Sequence, residues 1–96
     1  MSPDGESAQA HVVVRGRVQG VYFRGTLKQQ ADTHGVVGWV RNRADGSVEA
    51  LLQGRRDAVS AVIAWMRAGP RGARVESADV EWSEIEEPLQ GFEILG

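Results

Sequence analysis

Asp45-Gly46 lies near the middle of the chain, between two segments with strand character, "VVGWVRNR" and "SVEALLQ". An Asp-Gly pair favours a tight reversal, so these segments are expected to pair antiparallel as a hairpin. Val48, Ala50 and Leu52 then share one face of the returning strand. A helical period appears on each side of the hairpin. Upstream, "RGTLKQQADTHG" places Leu27, Ala31 and His34 at i, i+4 and i+7, and Gly35 supplies a left-handed stop. Downstream, "GRRDAVSAVIAWMRAGP" carries the stripe Val59, Val62, Ile63 and Met66 and ends at Gly69-Pro70. Outside the helices lie "AHVVVRGRV", a β-branched strand broken by Gly16 and Gly20, and "RVESADVEWSEIE", with Val80 and Trp82 on one face. A short strand, "GFEIL", follows Pro88. The order is β-α-β-β-α-β with a short extra C-terminal strand. The expected fold is an α+β, ferredoxin-like sandwich, an antiparallel sheet with two helices on one face.

With 96 residues the chain is read as one domain over 10–96, preceded by a flexible polar leader at 1–9. The start "MSPDGESAQA" lacks the basic and apolar regions of a signal peptide. No cysteine is present, so disulfides and thiolate metal sites are excluded, and a reducing compartment, the cytoplasm, is expected. The net charge of −2 gives no general basic field for nucleic acid. No apolar run approaches the ~18 residues of a membrane span. The reading is of a monomer that handles a small molecule, with neither nucleic acid nor membrane as partner.

The most suggestive stretch is "RGRVQGVYFR", Arg15 to Arg24. It joins a strand to a helix, where backbone N–H groups are free and the helix dipole is positive. Gly16 and Gly20 let successive N–H groups turn inward as a nest for an anion. Arg24, in the first helical turn, opposes the dipole. An anion between it and the amides reverses that penalty, and a guanidinium grips two oxygens at once. The stretch is not a Walker loop or a dinucleotide fingerprint, because the Gly-Lys-Ser/Thr and the third glycine are missing. On the residues alone, a plain glycine turn with solvated arginines fits equally well. Asn42 ends the row Val36, Gly38, Val40, Asn42, which strand alternation turns toward the helices. It reads either as a turn residue satisfying its own backbone or as an amide that holds a water.

Other chemistry-bearing residues read as structural. His11 and His34 lack metal-ligand spacing. Ser60 has no nucleophile elbow around it. The carboxylates of "EWSEIEEP" suit a solvated strand edge, and Trp39, Trp65 and Trp82 suit packing. Arg41, Arg43, Arg55 and Arg56 form a loose basic set that would steer an anionic substrate or simply be solvated.

"GRVQGVYFR" resembles the acylphosphatase signature Gly-x-Val-Gln-Gly-Val-x-Phe-Arg, through Gly16, Val18, Gln19, Gly20, Val21, Phe23 and Arg24. A second family block, Gly-Trp-Val-x-Asn, is similar to Gly38, Trp39, Val40 and Asn42. The resemblance runs from about residue 10 to the end. It implies hydrolysis of the carboxyl–phosphate anhydride of acyl phosphates without metal, cofactor or covalent phosphoenzyme. It further implies that Arg24 binds phosphate, that Asn42 orients the attacking water, and that the amides of Gln19, Gly20, Val21, Tyr22 and Phe23 form the cradle. Inorganic phosphate would occupy the same loop. Gly25 departs from helix propensity, and "FEILG" lacks the basic and aromatic ending of some members. The alternative on the same fold is a non-catalytic anion-binding module. An RNA module would carry stacking aromatics on its central strands, where "HVVV" and "EALLQ" stand.

Overall fold

The computed structural model describes residues 5–96. Its elements are β1 (Ser7–Arg17), α1 (Phe23–His34), β2 (Val37–Asn42), β3 (Val48–Arg55), α2 (Arg56–Ala68), β4 (Arg74–Ser83) and β5 (Phe92–Ile94). They form one sheet in the order β4-β1-β3-β2-β5. β1 pairs antiparallel with both β3 and β4, and β2 pairs antiparallel with β3. The expected antiparallel sheet is formed by β1 to β4, and the short extra strand, β5, adds to it parallel to β2, which makes the whole sheet mixed. The βα order puts β1 and β3 at the centre, where they are most buried.

Alternation along the strands separates the two faces. Ala10, Val12 and Val14 of β1 and Val48, Ala50 and Leu52 of β3 are buried in one core with Leu27 and Ala31 of α1 and Val59, Val62, Ile63 and Met66 of α2. His34 does not continue the α1 stripe; it is exposed in the last turn, beside the left-handed Gly35. Gly35 N–H bonds to Asp32 O at 3.3 Å and Val36 N–H to Ala31 O at 2.8 Å, closing the helix end. No helix of the described residues is long and apolar enough to cross a membrane.

The expected boundaries need two corrections. Of the leader expected at 1–9, residues 1–4 lie outside the described residues, whereas Ser7, Ala8 and Gln9 already pair with β3. Gly16 does not break the first strand. It sits at a bulge after Arg15, with φ +126°, and a Cβ there would strike the carbonyl of Arg74 on β4. The glycine therefore permits close approach to the neighbouring strand. The central hairpin forms around Asp45-Gly46 as expected, with the connection running from Arg43 to Ser47 and Gly46 left-handed at φ +91°.

The face away from the helices mixes apolar residues such as Val13, Trp39 and Leu51 with a charged cluster. Glu49 of β3 is 8% exposed there and accepts from His11 of β1 and Arg41 of β2, each at 2.6 Å. Burial alone would raise the Glu49 carboxyl, but the hydrogen bonds from His11 and Arg41 outweigh it and hold the group below its ordinary value. A carboxyl depressed by folding stabilises the fold above its unfolded pKa, and that contribution disappears as pH falls through the folded value. The stability gap between the native chain and Glu49→Gln is therefore expected to be larger at pH 7 than at pH 3. Urea denaturation of both proteins at the two pH values measures it, and a gap that does not narrow on acidification contradicts this account.

Candidate active site

The chain leaves β1 at Arg17 and enters α1 at Phe23 through a short loop. Val18 is buried in the core and fixes the start of the loop. Gly20 has φ +77° and Tyr22 φ +59°. Left-handed residues set between ordinary ones turn successive N–H groups to the same side. Among the described residues, none of the backbone N–H groups from Gln19 to Phe23 donates to a protein acceptor. The first helical bond runs from Thr26 N–H to Tyr22 O at 3.1 Å. A bare tyrosine at the N-cap, with no capping side chain, leaves those donors free.

A cleft of about 250 Å³ opens over this loop. Val18, Gly20, Tyr22, Phe23, Arg24 and Gly25 line one side, and Asn42 and Ile94 close the other. The expected pair Arg24 and Asn42 thus meet, one from α1 and one from the end of β2. Arg24 Nη1 donates to Leu95 O at 3.3 Å, which aims the guanidinium across the start of the helix. Asn42 Oδ1 is buried and has no hydrogen-bond partner among the described residues. The side chain therefore does not cap the turn beside it, as the turn reading would have it. The turn is closed instead by Asp45, which accepts from the Ser47 hydroxyl and from Ser47 N–H at 3.0 Å. These bonds hold the Asp45 carboxyl below its ordinary value.

Gln19 and Val21 lie in the loop but do not line the cleft. Gln19 Nε2 reaches across to the hairpin and donates to Arg43 O at 2.8 Å and Ser47 O at 2.9 Å. Val21 packs against the core. Sequence reasoning missed Ile94, which lines the cleft, and Leu95, whose carbonyl accepts from Arg24; the pairing of β5 with β2 places both. The signal for Gly25 was visible, since a glycine in the first turn of a helix opposes propensity. A Cβ at Gly25 would run into the Tyr22 ring.

The remaining candidates disperse. His11 pairs with Glu49 on the far face of the sheet. Arg41, Arg43 and Arg55 face Glu49, Asp45 and Asp57 respectively, and Arg56 lies over the Trp82 ring at 4.0 Å. Each of the four arginines thus has a partner of its own.

Fold and site together define a small two-layer α+β protein whose free N–H donors, one arginine and one unpaired asparagine oxygen share a single cleft. The acylphosphatase family model matches residues 10–94. An acylphosphatase from Pyrobaculum arsenaticum is 56% identical over 91 residues, 94% of this chain and 96% of that protein. The crystal structure of acylphosphatase from Bacillus subtilis superposes with a TM-score of 0.90 at 35% identity, covering 93% of this chain and 99% of the other. An acylphosphatase structure from Coxiella burnetii gives 0.82 at 36% identity, covering 93% of each chain. The chain belongs to the acylphosphatase family. It is an enzyme, a hydrolase acting on acid anhydrides.

The Gln19 amide is the tie between loop and hairpin. Gln19→Ala is expected to cost about 1–2 kcal/mol, because two part-buried carbonyls each lose a donor. A fall in the urea midpoint at unchanged m value measures this; an unchanged midpoint means the tie carries no stability.

Proposed function

We propose that the protein hydrolyses the carboxyl–phosphate anhydride of acyl phosphates by in-line attack of water, without a metal. In this reading the N–H groups of Gln19, Gly20, Val21, Tyr22 and Phe23 and the guanidinium of Arg24 bind the phosphoryl oxygens, and Asn42 orients the water. The observation that carries it is Asn42 Oδ1, a buried acceptor left without a partner at the cleft that Arg24 also lines. Such an atom costs about 1–3 kcal/mol unless something donates to it. A water donating to Asn42 would satisfy the oxygen and hold its own lone pair toward the phosphorus.

The chemistry asks little more of the protein. Water oxygen bonds to phosphorus as the bond from phosphorus to the acyl oxygen breaks, and the carboxylate leaves with the electron pair. The water proton passes to a phosphoryl oxygen, because neither signature contains a general base. The products are the carboxylate and inorganic phosphate. Phosphoryl transfer of this kind depends on positioning and on spreading charge. Arg24 and a cradle of N–H donors supply both, since they are fixed before the substrate arrives. The reading extends to a cytoplasmic monomer acting on a small molecule.

Hydrolysis of benzoyl phosphate, followed by ultraviolet absorbance with excess chelator, tests it. Arg24→Ala is expected to lower kcat/KM at least a thousandfold, about 4 kcal/mol of transition-state binding. Asn42→Ala is expected to depress kcat strongly while inorganic phosphate still competes. Retained turnover in Arg24→Ala overturns the assignment of the arginine. Loss of phosphate binding in Asn42→Ala makes that residue a support of the loop. A native protein that binds phosphate yet turns nothing over is the non-catalytic anion-binding module.

A further inference from the structure

The large hydrophobic side chains exposed among the described residues are Tyr22, at 71%, and Ile94, at 44%, and both line the cleft. They come from distant parts of the chain, one from the loop and one from β5. Elsewhere the large apolar side chains are buried or half-buried, so this pairing at one opening is not a general property of the surface.

Tyr22 is held there against local preference. It is the only non-glycine with positive φ among the described residues. Glycine or asparagine would adopt that conformation more readily than a bulky aromatic. The ring is nevertheless seated, because Gly25 leaves the space it occupies. A backbone that needed only a left-handed turn would not require the ring, and a ring kept for packing would not stand 71% exposed. Ile94 is fixed by the pairing of β5 with β2, opposite Val40, and by the bond from Leu95 N–H to Val40 O at 2.8 Å.

Charge narrows what this wall accepts. Among the described residues, Arg24 is the only charged side chain lining the cleft, and no carboxylate lines it. Once the guanidinium is engaged by a phosphoryl group, an ionised acyl chain finds no partner and loses hydration as it enters. A flat or branched apolar acyl group loses nothing and covers exposed apolar surface.

Resting on the reading of the cleft as a phosphoryl site, we infer that Tyr22 and Ile94 form the acyl-binding wall and select acyl phosphates with an uncharged apolar or aromatic acyl group. The measure is the ratio of kcat/KM for benzoyl phosphate to that for acetyl phosphate, in the native protein, Tyr22→Ala, Tyr22→Phe and Ile94→Ala. Acetyl phosphate keeps the same anhydride and offers the wall only a methyl group. The ratio is expected to fall about five- to tenfold in each alanine variant and to hold in Tyr22→Phe, which keeps the ring and removes the hydroxyl. Ratios within twofold of native in both alanine variants overturn the inference, as does equal loss on both substrates, which would mark the side chains as supports of the loop. A native protein that hydrolyses neither substrate fails earlier, at the reading of the cleft itself. Circular dichroism of each variant establishes that the comparison is between folded proteins.

Discussion

One side-chain amide joins the two halves of the cleft. Gln19 Nε2 donates to the carbonyls of Arg43 and Ser47, so the β1–α1 loop is tied to the β2–β3 hairpin. Without that tie the loop would be held by Val18, Val21 and Phe23 in the core and by the bonds of Tyr22 O to Thr26, with no other hydrogen bond among the described residues joining it to the hairpin. Asn42 would be anchored only through its strand. The proposed mechanism needs both sides in register, since misplacement by about 1 Å in a positioned reaction can cost on the order of a hundredfold in rate. The glutamine thus acts through its side chain on the hairpin while its own N–H remains free.

Around this tie, unfavourable local features collect in one place. Tyr22 takes a conformation suited to glycine, Arg24 stands against the helix dipole, the loop N–H groups lack partners, and a buried Asn42 oxygen goes unsatisfied. The rest of the chain behaves differently. Its core valines are fully buried and its buried carboxylate is paired twice. Conflicts with local preference that gather at one cleft stand where a ligand can relieve them. An anion offsets the dipole and the free donors together, and a water offsets the amide.

Element order and the α2 stripe were legible because the period is unambiguous: Val59, Val62, Ile63 and Met66 are all buried as the spacing predicts, whereas the α1 stripe holds for Leu27 and Ala31 and fails at the exposed His34. The two short motifs that carry Arg24 and Asn42 were legible, and the fold brings both residues to one cleft. Three things were hidden. The parallel pairing of β5 depends on long-range register that "GFEIL" does not encode. Gly16 looks like a strand breaker, yet its missing Cβ serves close contact with β4. The role of the Gln19 side chain depends on where the hairpin carbonyls lie in space, which no local pattern predicts. Gly25 was noticed as an anomaly, but its reason, the Tyr22 ring, became visible only in three dimensions.

The short fifth strand completes the site rather than the core. Phe92 is buried against the core and anchors it. Gly38 N–H donates to Gly91 O at 3.0 Å and Lys28 Nζ donates to Phe92 O at 3.0 Å, so both β2 and α1 hold the strand's start. Those contacts carry the following residues to the cleft, where the Leu95 carbonyl meets Arg24 and the Ile94 side chain stands at the opening. A single parallel pairing therefore does two jobs. It orients the guanidinium that the proposed mechanism uses, and it delivers one half of the wall proposed to read the acyl group. In the proposed mechanism, phosphoryl and acyl binding are then coupled through β5 and the residue that follows it, so shifting the strand's register would disturb both ends of the substrate together.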